Sequence, residues 1–523
     1  MSKGSILTGK LFFNKNEMNS ENIQQYISYV IQDSLKNAVM TSREILTSVA
    51  ELRYAETETH EQIEDRINNM LREMQLEKCA DTRFGDDLHK GLSGGEKKRV
   101  CIGAKLLIDS PILLLDEPTS GLDSSTSHLI IKFLRDYARR HNKIILTTIH
   151  QPSSNIFDLF DKLIILNHGR IIYQGQGGNE LSKYFESKGF SMKVNYNPSD
   201  SFMKILEELN HGSDEQKFFF NQEYNKEKDI EFSEEINNYL VQTEDNTSQD
   251  IDKVEIYSNF VTAFKVNFRD YSKTVARNPQ IVQIKILTLL FFTFICGSVF
   301  WQLPNTLEGN RGRLGFLLFF TLNNFMQQII NIIMVFPLEK KLLIDDCTSN
   351  LYSVAPYTMA RQFIDTTINL IIIVIYTALL YFLVGFQVTP THYFTFLGIY
   401  VAYGFCVISI AVLIGCFLDN VGQGFAIMNI GVVTLLIFSS LILNPKNMPV
   451  WLAWIRYFNP LFYCIQAALI NEFEGVNIQG MNFYVLIKEN LEIWHCMVYF
   501  IAVGIVLRSM AFVALHLVVK KKI

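Results

Sequence analysis

Residues 91–123 read GLSGGEKKRVCIGAKLLIDSPILLLDEPTSGLD and contain two chemical patterns a short distance apart. The first is a turn of small residues that leads into the helical pattern EKKRVCIGAKLLI. Ser93 is a residue type that caps helices, and Gly94 and Gly95 let backbone N–H groups approach an anion at the positive end of the helix dipole. The stretch Ser93–Glu96 therefore predicts an anion-binding helix start, with an ordinary turn as the alternative.

The second pattern is the apolar run 112–115, which ends in the paired acids Asp116 and Glu117. Such a run predicts a buried parallel strand that places both carboxylates at the carboxyl edge of a sheet. At that edge Asp116 would hold Mg²⁺, directly or through water, and Glu117 would polarise an attacking water. For this run taken alone, a strand that simply ends in solvent is the alternative.

Together with the sequence PTSGLD at 118–123, the two patterns resemble the signature motif, Walker B motif and D-loop of an ABC transporter ATPase. The resemblance implies an α/β domain of the P-loop type, with ATP and Mg²⁺ as cofactors. It also implies a set of nucleotide-contacting residues outside the Walker B acids: Ser93, Gly94, Gly95, Glu96 and Asp123.

The resemblance also assigns roles to two polar residues that each follow a predicted strand. Gln32 ends the strand pattern 26–32, and His150 ends the apolar run 143–149, one crossover after the Walker B strand. The resemblance implies that Gln32 is the Q-loop residue that touches Mg²⁺, and that His150 is the switch histidine at the γ-phosphate. A lone histidine is more often structural, but this position favours the functional interpretation. Glu117 and His150 are therefore the predicted catalytic residues.

No stretch matches GxxxxGK[ST], the loop that cradles nucleotide phosphates. The nearest is Gly9-Lys10, which is followed by Leu11 and by an apolar strand pattern in place of a helix. In the resembled family this loop precedes the region that matches Gly4–Phe13, so we expect the sequence to begin after it. Two explanations stay open. We favour an incomplete sequence of a normal transporter, because the other site residues are present, over a catalytically degenerate half.

Composition separates a mixed first half from an apolar second half. Hydrophobic residues make up 49% of the 523 residues, and the excess falls after about residue 278. A membrane span needs about 20 apolar residues, and six runs qualify: 281–301, 314–336, 362–386, 392–417, 423–443 and 493–517. The eight cysteines have no paired CxxC spacing, which argues against a disulfide framework or a zinc site.

Basic residues set the orientation of these spans. Lys273 and Arg277 precede the first span, and Lys520, Lys521 and Lys522 close the chain. The positive-inside rule then places both the ATPase domain and the C-terminus in the cytosol. Arg311 and Arg313, in the predicted outer loop between the first two spans, are the main exception.

The predicted organisation has four parts. They are an N-terminally incomplete ABC nucleotide-binding domain at 1–205, a polar cytosolic linker at 206–254, an amphipathic connecting helix at 255–280, and an all-α domain of six transmembrane helices at 281–523. With the cassette first and stretches such as PLEKK and NEF in the membrane half, this layout resembles the G subfamily (White-type) of ABC half-transporters.

The resemblance implies a homodimer or heterodimer in a lipid bilayer that uses ATP to export a lipid, sterol or other amphipathic small molecule. We predict no nucleic-acid partner. The alternative is a catalytically degenerate membrane subunit that lends its signature motif to a complete partner.

Polar residues within the spans are the remaining candidates. Five amides fall in the second span: Asn323, Asn324, Gln327, Gln328 and Asn331. Amides in a bilayer are costly unless they pair with neighbours or face a wet cavity, and helix–helix contact is the first interpretation for each. The family lines its central cavity with the second and fifth spans, which implies four substrate-cavity residues: Phe325, Gln328, Asn429 and Phe438. Arg508, in the last span, is predicted to pair internally or to lie near a water-accessible edge, in preference to binding substrate.

Overall fold

The computed structural model describes residues 12–13, 16–17, 23, 26–32, 36–86, 90–150, 152–167, 170–177, 179–187, 258–439, 449–474 and 491–522. The chain divides into two compact units, Met1–Tyr257 and Ser258–Ile523, which are taken separately below. The predicted linker at 206–254 lies outside the described residues, as do 188–205 of the predicted nucleotide-binding domain.

The first unit is built on a three-stranded parallel sheet. Its strands are β3 (Ile27–Val30), β4 (Ile112–Leu115) and β5 (Ile144–Thr147), and β4 lies between the other two. Val30, Leu115 and Thr147 lie side by side, so the three strands end level with one another. Two antiparallel pairs complete the described strands: β1 (Phe12–Phe13) with β2 (Asn16–Glu17), and β6 (Leu163–Asn167) with β7 (Arg170–Gly175).

The first unit has six described helices, of which the four longest begin at side-chain caps. They are α1 (Ser42–Tyr54), α2 (His60–Glu73), α3 (Gly94–Leu106), α4 (Ser124–His141), α5 (Ser154–Phe157) and α6 (Asn179–Ser187), with a 3-10 turn at Glu77–Cys79. Thr41, Thr59 and Ser93 each form a capping box at the start of α1, α2 and α3. Helix α1 packs against both α2 and α3, so the helix that carries the signature residues belongs to a helical subdomain.

One face of the parallel sheet is covered and the other is open among the described residues. Val30, Leu113 and Leu115 on the first face are buried, whereas Tyr29 and Leu146 on the second are about half exposed, at 46% and 52%. The apolar run 143–149 is typical of a buried strand, yet the β5 side chains are exposed or only half-buried. The strand lies at the edge of the three-stranded sheet, where its apolar side chains remain accessible.

The second unit is helical. Its helices are α7 (Phe260–Arg277), α8 (Pro279–Val299), α9 (Leu307–Thr348), α10 (Val354–Val384), α11 (Pro390–Phe417), α12 (Val421–Ile437), α13 (Val450–Ala453), α14 (Pro460–Phe473) and α15 (Ile493–Lys522), with a 3-10 turn at Trp454–Phe458. Five of them, α8 to α11 and α15, are long and apolar enough to cross a membrane.

The fifth predicted span is not confirmed. The run 423–443 corresponds to α12, an apolar helix of 17 residues, and 440–443 lie outside the described residues. The other five predicted spans coincide with long helices, and α9 continues well beyond its span, through Pro337 to Thr348.

Helix α7 has the amphipathic pattern predicted for the connecting helix. Ala263 and Val266 are buried, and α7 packs along α10. Aromatic side chains form a stripe along α7 and stack on one another. The last of them, Phe268, packs against Phe363 of α10, with ring centroids 6.2 Å apart. Contact of the stripe with a membrane surface stays a prediction.

The exception to the positive-inside rule has a structural reason. Arg313 is buried, and its guanidinium donates to the Leu303 carbonyl at 2.9 Å and to the Gly385 carbonyl at 2.7 Å. The nearest carboxylate oxygen, on Glu472 of α14, lies 3.5 Å from Nη1. A cation paired inside the protein does not act as a free surface charge, so Arg313 carries little weight in the orientation rule.

Candidate functional site

Polar side chains from three separate parts of the sequence meet at the carboxyl edge of the parallel sheet. Gln32 follows β3, Asp116 and Glu117 follow β4, and His150 follows β5. Because the three strands are parallel and end level, the residues after them share one edge. Gln32 Nε2 donates to Glu117 Oε2 at 2.8 Å and approaches Ser120 Oγ at 3.4 Å.

Two hydroxyl groups hold the carboxylate of Asp116. Tyr29 donates to Oδ2 at 3.2 Å, and Thr148 donates to Oδ1 at 2.7 Å. Burial, and then the charge of Asp116, raise the pKa of the Tyr29 phenol above its ordinary value, which keeps it a donor at neutral pH. Each carboxylate oxygen has a further lone pair, so both hydroxyl contacts leave Asp116 able to bind a cation.

Glu117 has an unusual backbone conformation. Its φ of +43° lies in the left-handed region, which costs a non-glycine residue roughly 1–3 kcal/mol. The Glu117 N–H donates to Thr148 Oγ1 at 3.0 Å, and its carbonyl accepts from the Ser120 N–H at 3.1 Å. These bonds at both ends of the residue hold the strained turn in place, with the carboxylate against Gln32.

Glu117 and His150 line the same open cleft, which has a volume of about 510 Å³. The D-loop residues 119–122 form one wall, and Pro152, Ser153 and Ile156 form another. The two predicted catalytic residues thus face one solvent-filled space beside the D-loop.

The signature turn forms a closed hydrogen-bonded cap. The Ser93 N–H and hydroxyl both donate to Glu96 Oε2 at 2.8 Å, and the Glu96 N–H approaches Ser93 Oγ at 3.4 Å. The Ser93 N–H is the largest cause that lowers the pKa of Glu96 below its ordinary value. Gly94, the first residue of α3, is exposed, and a side chain there would contact nothing within 4 Å, which leaves this helix start open to an incoming group.

The signature turn is tied to the strand edge within the same chain. Lys98 Nζ of α3 donates to the Gln32 carbonyl at 2.9 Å. A Cβ on Gly95 would lie 3.0 Å from the Thr126 methyl group, so a side chain there would have to displace that methyl group by a few tenths of an ångström. Asp123 caps α4 by accepting from the Thr126 N–H at 2.9 Å, and that bond lowers the pKa of Asp123.

Sequence reasoning missed Thr148 and Tyr29. Both are ordinary strand residues by type, and their role depends on the lateral register of three strands, which a single sequence does not show. One signal was available for Thr148: it follows β5 just as Asp116 follows β4, so parallel pairing brings the two side by side.

The residues present fit a magnesium ion. Asp116 offers carboxylate oxygens, and Gln32 retains its amide oxygen because its bonds to Glu117 and Ser120 use Nε2. Oxygen ligands of these two kinds are those that Mg²⁺ prefers.

The four predicted substrate-cavity residues differ in burial, and that they line one cavity stays a prediction. Phe325 and Gln328 of α9 are buried, whereas Asn429 of α12 is exposed and Phe438 is partly buried. Gln328 lines a crevice between α8, α9 and α10, and the other three residues do not line it. Arg508 does pair internally, as predicted, with the Thr366 and Ser409 hydroxyls at 2.6 and 3.1 Å.

Comparisons with known proteins address both units. Family models match the chain over three ranges: an ABC transporter model at residues 2–120, and two ABC-2 type transporter models at 150–223 and 262–473. The broad substrate specificity ATP-binding cassette transporter ABCG2 of Sus scrofa is 30% identical over 482 residues, covering 87% of this chain and 72% of that protein. The chain belongs to the G subfamily of ABC transporters.

More distant members match over a similar length. Protein white of Drosophila melanogaster is 27% identical over 480 residues, covering 90% of this chain and 68% of that protein. ABC transporter G family member 1 of Dictyostelium discoideum is 26% identical over 556 residues, covering 90% and 70%. Among solved structures, a dimeric ATP-binding cassette bound to ADP and Pi covers 32% of this chain and 73% of its own, with 22% identity and a TM-score of 0.28.

Subfamily membership fixes the broad description. The chain is an ABC half-transporter, and its ABC-2 type region and long apolar helices make it an integral multi-pass membrane protein. Its first unit is of the nucleotide-binding class.

The stretch nearest to a phosphate loop is closer to that motif than Gly9-Lys10 alone indicates. Gly4 stands at the spacing GxxxxGK, so the stretch departs from the full motif only at Leu11. Residues 1–11 lie outside the described residues. The described chain continues into β1, a strand paired with β2, whereas a phosphate loop leads into a helix.

Proposed function

We propose that this G-subfamily half-transporter works as a dimer, homomeric or heteromeric, that couples ATP binding and hydrolysis to the export of a lipid, sterol or other amphipathic small molecule. The observation that supports this most is the meeting of Gln32, Asp116, Glu117 and His150 at one strand edge. A chain freed from catalysis has no chemical reason to keep a strained, hydrogen-bonded Glu117 there.

Each residue at the edge has a role in this proposal. Asp116 and the Gln32 amide oxygen would hold Mg²⁺, which supplies charge neutralisation at the phosphates when bound. Glu117 accepts a proton from the attacking water, and His150 donates a hydrogen bond at the γ-phosphate end of the cleft. Thr148 links the Asp116 carboxylate to the Glu117 backbone through its single hydroxyl.

The signature residues are proposed to act across the dimer. The exposed start of α3 presents Ser93, Gly94 and Gly95 on the surface, where N–H groups and the helix dipole favour an anion of a partner cassette. Glu96 orients the Ser93 hydroxyl, and Asp123 fixes the D-loop through its cap on α4.

Orientation in the membrane follows from the charges. We propose that the cassette and the C-terminus lie in the cytosol, because Lys520, Lys521 and Lys522 follow the last span.

A second candidate is a degenerate subunit that only lends Ser93, Gly94 and Gly95 to a complete partner. It needs no phosphate loop of its own, and the one stretch with the spacing GxxxxGK, Gly4 to Lys10, is followed by Leu11 in place of a Ser or Thr. In that case the chain alone would not hydrolyse ATP. A substitution at Ser93 would still stop ATP hydrolysis by a dimer of this chain with a complete half-transporter.

The experiment measures phosphate release by the purified chain in lipid nanodiscs, alone and mixed with a half-transporter that has an intact phosphate loop. His150→Ala should lower turnover by about a hundredfold, since a positioned acid–base or hydrogen-bonding group contributes factors of this order. His141→Ala is the matched control, because His141 is exposed on α4 and outside the cleft. Turnover only in the mixture, insensitive to His150→Ala in this chain but lost with Ser93→Arg, would select the degenerate subunit.

A further inference from the structure

A crevice in the membrane unit carries a charge that the proposed transport cycle does not use. It lies between α8, α9 and α10, and the five amides of the second predicted span line it together with Lys285, Asn369 and Tyr376. No aspartate or glutamate is among the described residues that line it. Its net charge is therefore set by Lys285 alone.

Lys285 lies inside the apolar helix α8, within the candidate span Val282–Val299. Its ammonium donates to Asn369 Oδ1 of α10 at 3.0 Å, and this neutral amide is its contact partner. The nearest acid that acts on it, Asp365, is already engaged by the Tyr271 hydroxyl at 2.6 Å and by Arg361 Nε at 3.3 Å. A cation in a membrane span without an acid in contact is costly and points to an anion from outside the fold.

A second observation is independent of that charge. Gln328 is buried, with 4% of its surface exposed, and its amide oxygen has no hydrogen-bond partner. Its neighbours in the crevice are partly engaged: Asn323 accepts from the Tyr376 hydroxyl at 3.3 Å, and Asn324 donates to the Phe320 carbonyl at 3.0 Å. The orphaned oxygen would suit a ligand donor, and the same amide turned by 180° would present its NH₂ group to a ligand acceptor. Beside Lys285 the second orientation offers an anion two donors.

The volume of the crevice and its opening to the helix surface restrict the kind of ligand that it can bind. The crevice holds about 30 Å³, room for about two water molecules, which suits the two oxygens of a carboxylate and excludes a phosphodiester headgroup. Helix α8 packs mainly on α10 and meets α9 through Phe292 and Phe319, whose ring centroids lie 6.3 Å apart. Phe319 is 40% exposed, so the apolar rim continues from the crevice to the outer surface of the helices.

We propose that this crevice binds the carboxylate of an amphipathic cargo, with Lys285 and the amide of Gln328 on the carboxylate and the apolar tail along Phe292 and Phe319. The proposal rests on the proposed function as an exporter of amphipathic compounds. It narrows the cargo to carboxylic acids with one apolar chain or ring system.

The test compares two probes that differ only in the headgroup. Tritiated dodecanoate and tritiated dodecan-1-ol are bound to the purified full chain in detergent without nucleotide, and scintillation proximity reports the bound probe. Dodecanoate should bind at least about tenfold tighter, since a charge-assisted hydrogen bond is worth that factor or more. Equal affinity for the two probes overturns the proposal, and this comparison needs no variant.

Two substitutions sharpen the result. Lys285→Met should lower dodecanoate affinity about tenfold and leave the alcohol unchanged. Asn369→Asp supplies an internal carboxylate to Lys285, so dodecanoate binding should be lost while the unfolding temperature stays the same or rises. The matched control is Lys341→Met, which removes an exposed charge from the end of α9. Unchanged dodecanoate affinity in Lys285→Met would show that Lys285 serves only helix packing.

Because no nucleotide is present, these measurements do not depend on the ATPase. If the chain does not hydrolyse ATP but still prefers dodecanoate, the result supports carboxylate binding in the crevice and refutes only the proposal of an active ATPase. A chain with turnover but no selection refutes only the crevice.

Discussion

Charged groups are handled differently in the two units of this chain. At the strand edge of the cassette, Asp116 and Glu117 are partly exposed and held by hydroxyl and amide groups, and none of the described cationic side chains forms an ion pair with them. In the membrane unit, Arg361 is buried between Glu339 at 2.5 Å and Asp365 at 3.3 Å, and Arg313 is buried beside Glu472. The carboxylates of the cassette therefore stay available to a ligand, whereas the charges of the membrane unit neutralise one another in internal ion pairs. Lys285 differs from the other buried charges of the membrane unit, because its contact partner is a neutral amide and not a charge of opposite sign.

Breaking a buried pair should have the largest effect on stability. Glu472→Ala leaves the Arg313 guanidinium buried without its carboxylate, which costs about 3–5 kcal/mol. We expect a large drop in the thermal unfolding temperature in detergent. Glu474→Ala is the control, because Glu474 is exposed two residues further on. An unfolding temperature equal to that of the control would mean that the pair does not hold α14 in place.

An intermediate effect is expected at the strand edge, on turnover and not on folding. Thr148→Val removes the hydroxyl that donates to Asp116 and accepts from the Glu117 N–H. Both acids lose the group that positions them, so turnover should fall roughly tenfold, or about 1.4 kcal/mol in activation free energy. The unfolding temperature should change little, because the site is partly exposed and water can replace the lost bonds. Thr147→Val is the matched control, since that hydroxyl bonds only the Thr148 carbonyl. Equal turnover in the two variants would remove Thr148 from the site.

The structure also separates what the sequence could predict from what it could not. The strand ends at Gln32 and Glu117 and the cap at Ser93 follow from local patterns, because apolar runs and capping residues act over a few positions. The pairing of Thr148 with Asp116, the exposure of β5 and the placement of Lys285 opposite Asn369 depend on contacts between distant segments. The run 423–443 was predicted as a span because apolar composition alone does not show where a helix ends.

The smallest effect is expected at the signature cap. Glu96→Gln keeps the capping-box geometry but removes a carboxylate whose pKa is lowered by the Ser93 N–H, and losing this negative charge at the helix start costs about 0.3–1 kcal/mol. A lowered folded-state pKa means that the stabilisation is present above the unfolded value near ~4.3 and is lost as the pH falls through the folded value. The unfolding temperatures of the two proteins should therefore differ at pH 7 and converge in acid. A difference that persists at low pH would assign the effect to packing.

The strand edge as an ATP-hydrolysing site is tested most directly by Glu117→Gln. In the assembled dimer, phosphate release should fall by about a hundredfold or more, since Glu117 acts as the general base. ATP binding, measured with a fluorescent analogue, should be unchanged, because Asp116 keeps both of its hydroxyl contacts. Undiminished phosphate release by the Glu117→Gln dimer would contradict the account.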